Sequence, residues 1–301
     1  MRLLRRWPLG RMPSLAVLTM ARDEGRMLDR WVAHYAREAG GAEHLLVLDD
    51  GSTDGSTDRL PCQVRRLEPI PPGQFEPIRM RLCNAEARRL LQTYDVVAFT
   101  DVDEFLVADP AVHRGLRDLL AARPDAAALA PLALNVVHHV GLEPPLDPDR
   151  PVLAQRSFAK FLPVMCKPSI KRVPAAWRGA SHGIDTPYRV DPELFMLHLK
   201  FADRDTLRAV TERRHAMMRV DGRGARSSWR MNADELDQVL NAAVGDVDPG
   251  AVPEFDPSEL RLGRLVVHQG PTYRTRRVGQ YIAMRNRPLV RIPERLRSVS
   301  F

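Results

Sequence analysis

Two aspartate clusters carry most of the chemistry this sequence can offer. One is Asp49-Asp50, followed by Gly51-Ser52-Thr53-Asp54-Gly55-Ser56; the other is Asp101-Val102-Asp103, followed by Glu104-Phe105-Leu106. Aspartates at i and i+2 point the same way on an extended strand and converge further where it turns. Their oxygens are hard donors that suit Mg²⁺ or Mn²⁺, ions commonly held by one or two carboxylates plus substrate phosphates. The spacing alone is common here, since Asp147-Pro148-Asp149, Asp203-Arg204-Asp205 and Asp246-Val247-Asp248 share it. Only Asp101-Val102-Asp103 lies between an apolar strand pattern and a second apolar stretch. Acids packed in that way repel one another and lose solvation, which is costly without a cation. The plainer reading is an acidic turn that caps the next segment. Asp49-Asp50 has a local explanation too, because Asp, Gly and Ser gather in turns. Its functional reading is a strand-end carboxylate that accepts hydrogen bonds from a base or a ribose.

The elements that must position these residues alternate. Residues 14–20 read as a strand and 25–39 as an amphipathic helix with Met27, Leu28, Trp31, Val32 and Tyr35 on one face. Gly40-Gly41 ends the helix. Strands follow at 45–48, 64–67 and 96–99, with a helix at 79–92. This order predicts parallel βαβ units in an open sheet, whose ligands sit beyond the carboxyl ends of the strands. Both acidic clusters fall at such ends. The first βα turn lacks GxGxxG and GxxxxGK[ST], which argues against a dinucleotide fold and a P-loop.

Further along, residues 126–137 alternate weakly and could form strands, 143–151 read as a loop, 206–219 and 232–243 as helices, and 264–268 as a strand. The 25 prolines predict a loop-rich second half.

In length and composition, 301 residues with 44% hydrophobic and 28% charged suit a globular enzyme and exclude wholesale disorder. Cys62, Cys83 and Cys166 form no CxxC pair, so reduced thiols in a cytoplasmic protein are expected. The opening Met1–Trp7 segment resembles a signal-peptide start, but Pro8, Gly10, Arg11 and Pro13 break the apolar stretch. No apolar run is long enough to span a membrane. Net charge is +7, and residues 261–297 hold ten arginines against one glutamate. Such a segment could touch an anionic membrane face, at the inner side of the membrane, or a phosphate-bearing substrate; a solvated tail is the plain alternative. Pro288 and Pro293 interrupt it, and no nucleic-acid motif accompanies it.

Taken in order, Ala21-Arg22-Asp23-Glu24, Leu28-Asp29-Arg30-Trp31-Val32-Ala33-His34-Tyr35, the Asp49-Asp50 cluster and Phe99-Thr100-Asp101-Val102-Asp103-Glu104-Phe105-Leu106 resemble glycosyltransferase family 2. The likeness is to its branch with an "NE…L.EW..H" opening and a "DvDEFl" metal motif. It covers residues 14–107, with weaker echoes to about residue 215.

The resemblance implies a GT-A-like, Rossmann-type α/β fold: a mostly parallel open sheet flanked by helices, an irregular C-terminal acceptor region and a helical tail. The domain organisation expected from it is an extension at 1–13, a glycosyltransferase domain at 14–220 and a helical, basic tail at 221–301. Within the domain, 14–107 would bind the nucleotide sugar and 108–220 the acceptor. The implied activity is inverting transfer from a nucleotide diphosphate sugar to a glycan or lipid-linked acceptor, assisted by Mn²⁺ or Mg²⁺.

By the same resemblance, Asp50 would contact the base, Asp101 the ribose or the metal shell, and Asp103 the metal. Arg22 and Asp23 would face the nucleotide, and Arg79 or Arg81 would pair with base or diphosphate. Lys167 or Lys171 would neutralise diphosphate charge, unless they belong to a solvated basic strand. His198, in Leu197-His198-Leu199-Lys200-Phe201, could complete the metal shell, although a lone histidine on an apolar strand is more often a core residue. Asp203 and Asp205, just before a helix, and Asp185, after His182-Gly183, are candidate bases; capping alone would explain Asp203. Two other classes fit the acids less well: a nucleotidyltransferase, and a nucleotide-sugar-binding partner without turnover.

Overall fold

The computed structural model describes residues 11–222, 230–245, 247–275 and 284–301. Most of the expected N-terminal extension, and Arg276 and Arg277 of the basic segment, lie outside them.

The first half follows the predicted alternation: β1 (Leu15–Ala21), α1 (Gly25–Ala39), β2 (Leu45–Asp49), β3 (Gln63–Arg66), α2 (Phe75–Leu90), β4 (Val96–Phe99) and β5 (Glu104–Ala108). Next come α3 (Leu116–Ala121), β6 (Ala128–Val137), α4 (Val152–Gln155), β7 (Phe158–Phe161), β8 (Ile170–Lys171), β9 (Trp177–Arg178) and β10 (Gly183–Ile184). The remainder is β11 (Arg189–Phe201), α5 (Arg204–Asp221), α6 (Ala233–Val244), β12 (Val266–Gln269), β13 (Thr272–Thr275) and β14 (Val290–Arg291).

β3, β2, β1 and β4 pair in parallel in that spatial order. β1, β2 and β4 are almost wholly buried, as parallel strands covered on both faces must be, and this is why they read as unbroken apolar runs. β3 is exposed along its length and carries Arg65 and Arg66, charges that suit an edge strand.

Beyond β4 the sheet turns mixed. β8 joins β4 to β6 antiparallel, and β6 also takes β7 and, in parallel, β11. β5 runs antiparallel to β11. The result is a mixed α/β fold whose parallel half holds both acidic clusters at its strand ends. A second, four-stranded sheet runs β12-β13-β10-β9.

α1 presents Leu28, Trp31, Val32, Tyr35 and Ala39 to the core. Burying each of the larger side chains contributes about 1.5–3 kcal/mol. Gly40 closes the helix in the left-handed region at φ 88°, its N–H donating to Ala36 O.

α2 begins at Phe75 rather than near Arg79. Pro77 lies in its first turn, where a missing N–H costs nothing, so the proline does not delay the start. Within residues 126–137, Ala128–Val137 form one fully buried strand, β6. The C-terminal segment is woven into the rest: β14 pairs with β7, Arg295 Nε lies 2.8 Å from Asp109 Oδ2, and Phe301 stacks on Phe105 at 4.4 Å. Among the described residues no helix is long and apolar enough to cross a membrane.

Candidate active site

The segment from Thr100 to Glu104 leaves β4 and turns into β5, and α1 grips it from behind. Trp31 Nε1 donates to Thr100 Oγ1 at 2.9 Å, and Tyr35 O–H donates to Glu104 O and accepts from Leu106 N, both at 2.8 Å. His34 Nε2 lies 2.8 Å from Leu106 O. The buried face of the amphipathic helix thus fixes the acidic turn. Glu104 Oε2 accepts from Asp101 N at 3.1 Å, so the turn does cap itself, as the plainer reading expected. Its other carboxylates have further partners.

Asp101 meets two cations. One oxygen contacts Arg79 Nη2, and the other lies 3.2 Å from Lys167 Nζ. Lys167 also stands 2.8 Å from Glu104 Oε1, with both side chains buried. Burial alone would raise the Asp101 pKa, but Arg79 and then Lys167 override it and hold it down to about 2. Burial acts against the Lys167 charge as well, and Asp101 and Glu104 outweigh it, so Lys167 stays an ammonium. Neither Lys167 nor Lys171 belongs to a solvated basic strand, since both are buried.

Asp103 faces His198 of β11, with Oδ2 3.5 Å from Nε2. His198 Nδ1 lies 2.6 Å from Asn135 Oδ1 on β6. With that oxygen as acceptor, Nδ1–H donates and Nε2 faces the carboxylate. A carboxylate and an imidazole nitrogen so placed could together hold a cation. The β11–β6 register slips just after His198, a bulge of the kind that re-aims a side chain. Burial would raise the Asp103 carboxyl, and His198 keeps it well below the usual range instead.

The donor set fits a divalent ion that takes one carboxylate and one imidazole and completes its shell from phosphate and water. Among the described residues no three His, Cys, Asp or Glu side chains converge at ligand spacing. Asp101, expected in the metal shell, has its two oxygens engaged by Arg79 and Lys167.

Asp50 closes the other side. Asp49 is buried beneath it, accepting from Ser52 N at 2.8 Å and from Arg66 Nε at 3.0 Å. Asp23, at φ 53°, accepts from Thr53 N at 2.6 Å and Asp54 N at 3.1 Å and so holds the 50–56 loop. Asp50, Asp101, Asp103, Arg22, Arg79, Arg81, Lys167 and His198 all line one cleft of about 1300 Å³. Asp23 does not; it braces the loop from behind.

The three candidate bases lie outside that lining. Asp203 caps α5, accepting from Thr206 N at 3.0 Å and Leu146 N at 3.1 Å, with Arg156 3.4 Å away. Asp205 sits exposed in the first turn of α5. Asp185 is tied to Arg178 at 2.5 Å and accepts from Thr272 Oγ1 at 3.1 Å.

Several lining residues were given no role by the sequence reading. Arg213 and Arg214 project from α5, and Arg214 Nη2 lies 3.1 Å from Glu24 Oε1. Lys200 follows His198 by two on β11. His182 sets Nδ1 2.9 Å from Val164 O, and burial pushes its ring down to about 4, leaving it neutral. Asn84 exchanges two hydrogen bonds with the backbone of Trp177, at 3.0 and 2.8 Å, and so ties α2 to the β9 wall. Among the described residues, nine arginines and lysines line the cleft against six carboxylates, an excess that favours an anionic ligand.

No protein-family model matches the chain, and no curated protein matches it. Among solved structures it is similar to S. aureus TarS, at 17% identity and a TM-score of 0.34, over 53% of this chain and 28% of that one. It is also similar to S. aureus TarS 1–349 in complex with UDP-GlcNAc, at 16% identity and a TM-score of 0.33, over 53% and 45%. A third likeness is to the mannosyltransferase PcManGT from Pyrobaculum calidifontis in complex with GDP-Man and Mn²⁺, at 14% identity and a TM-score of 0.35, over 80% and 78%. The match spans less than half the length of the first two chains. Likeness this slight assigns neither substrate nor activity to this chain.

Proposed function

We propose that the chain is a GT-A-type glycosyltransferase that moves a sugar, with inversion, from a nucleotide diphosphate sugar to an acceptor hydroxyl with the help of Mn²⁺ or Mg²⁺. One observation carries the reading. Carboxylates from two strand ends, Asp50 after β2 and Asp101 and Asp103 after β4, face a single cleft whose cations outnumber its acids.

Each residue then has a task that its surroundings support. Asp50, braced by Asp49 and Asp23, accepts hydrogen bonds from the base or ribose. Arg22 and Arg81, on the cleft wall, bind nucleotide oxygens. Asp101 orients Arg79 and Lys167 so that two fixed positive charges stand where the leaving diphosphate gains negative charge. Asp103 and His198 are the protein donors to the divalent ion. When bound, that ion supplies Lewis-acid stabilisation to the departing diphosphate. The acceptor presents a hydroxyl to this cleft, and the basic C-terminal segment could bring the enzyme to an anionic membrane face.

The test is turnover. A panel of UDP- and GDP-sugars with Mn²⁺ should yield nucleoside diphosphate, and Asp103→Ala should abolish it. Release of pyrophosphate, or no release across the panel, would contradict the assignment.

A further inference from the structure

A second cavity, about 330 Å³, opens beside the main cleft. Glu24, Asp103, Lys200, Arg213 and Arg214 line both spaces, so the two meet at the ion pairs between α5 and the start of α1. Away from that junction the walls change character. Met27 of α1, Leu146, Leu199 of β11, Leu207 and Val210 of α5 and Leu236 of α6 make up much of the remainder, with Arg26, Arg30, Thr206 and Thr211 among them. Leu199, Leu207 and Leu236 are buried, and Met27, Leu146 and Val210 are half-buried. Nothing in the proposed handling of the nucleotide sugar uses these side chains. Charge is densest at the junction, and beyond it aliphatic side chains outnumber the polar ones.

We infer that the second cavity seats the acceptor, and that the acceptor carries its reacting hydroxyl on a compact apolar body, as an alkyl or aryl alcohol does. The inference rests on the proposed transferase reading. Continuity supports the occupant: a hydroxyl at the junction stands next to Asp103, where the donor diphosphate would be held, while the body lies against the aliphatic side chains beyond it. The volume is at the lower end of ligand pockets, which fits a body of modest size. Of the two carboxylates that border both spaces, Asp103 faces His198, which leaves Glu24 for the proton. In the transfer the acceptor oxygen bonds to the anomeric carbon and its proton passes to Glu24. The bond from that carbon to the diphosphate oxygen breaks, and its electron pair leaves on the nucleoside diphosphate.

The experiment compares acceptors with one donor that the enzyme turns over, with phenethyl alcohol and hexanol set against glycerol and glucose. The apolar alcohols should show kcat/KM values about tenfold or more above the polar ones, in the range that apolar pocket contacts supply. Val210→Trp, which fills the cavity, should erase that preference, and Met27→Ala, which enlarges it, should shift it toward bulkier bodies. A nucleotide-induced rise in Tm identifies the variants that are folded. Glu24→Gln should lower kcat by about a hundredfold or more with every acceptor. Equal or better use of glycerol and glucose, or a preference unmoved in both cavity variants, would overturn the acceptor assignment while leaving the transferase reading intact. Absence of any donor turnover or nucleotide binding in the unaltered protein would instead overturn the transferase reading, and this inference with it.

Discussion

Lys167 Nζ lies 2.8 Å from Glu104 Oε1, both side chains buried, and reaches Asp101 Oδ2 at 3.2 Å. One ammonium therefore holds two carboxylates of the acidic turn together. Removing a single partner from a buried pair leaves an uncompensated charge and costs about 3–5 kcal/mol. Lys167→Met should lose about that much in urea unfolding, and adding Glu104→Gln should restore part of it. A single variant as stable as the parent would show that the pair does not hold the turn.

Lys171 offers a pH test away from the cleft carboxylates. Burial, reinforced by Arg88, pushes its ammonium down to about 7. Its Nζ donates to Ala175 O at 2.8 Å and sits 3.5 Å above the Trp177 ring, contacts that partly offset the burial. Since the unfolded lysine keeps its proton to about 10.4, the unfolded state binds more protons across that window. Stability should therefore rise with pH from about 7 to about 10. Measured against Lys171→Met at each pH, the unaltered protein should gain steadily over this range. A constant difference would count against a depressed Lys171.

Much of this arrangement was readable from local pattern, and the limits of that reading are physical. β1, β2 and β4 are short buried runs that end in turn formers, so both acidic clusters could be placed at strand ends. β11 was not legible as a whole. Its Asp191-Pro192-Glu193 breaks the apolar pattern, yet Asp191 is buried against Arg123 at 2.7 Å and the register slips there. Its pairing with β5 and β6 is a long-range fact with no local signature. Arg213 and Arg214 reach the cleft only because α5 folds back over the start of α1, which periodicity does not encode. Asp203 showed a capping pattern in sequence and is a cap. Lys167 and Lys171 read as a charge run because burial of paired or aromatic-backed lysines leaves no trace in spacing.

Asp23 separates bracing from binding. Its carboxylate accepts from Thr53 and Asp54 backbone N–H groups while its own backbone occupies the left-handed region. Asn tolerates that conformation and keeps one acceptor oxygen, whereas Ala does neither. Asp23→Ala should destabilise the protein by about 1.5–3 kcal/mol, as expected for hydrogen bonds to a charged group, and should weaken nucleotide binding. Asp23→Asn should recover most of both. Calorimetry on the two variants checks this, and equal losses would remove the bracing role.

Gly179, Ala180 and Ser181 run consecutively through the left-handed region at φ 53°, 55° and 66°, with Gly179 and Ala180 on the cleft wall. A side chain there costs roughly 1–2 kcal/mol. Ala180→Gly should therefore raise stability by about 1 kcal/mol, read as an increase in Tm. A decrease would mean that the Ala180 methyl packs well enough to repay its strain.

In the proposed transferase Asp103, with His198, holds the cation that ties a nucleotide diphosphate to this cleft. Isothermal titration of UDP and GDP, with and without Mn²⁺, into the unaltered protein and Asp103→Ala tests it most directly. Mn²⁺ should tighten binding of one nucleotide by about 10–100-fold in the unaltered protein, and that gain should vanish in Asp103→Ala. An undiminished Mn²⁺ gain in the variant, or no nucleotide binding in either protein, would contradict the account.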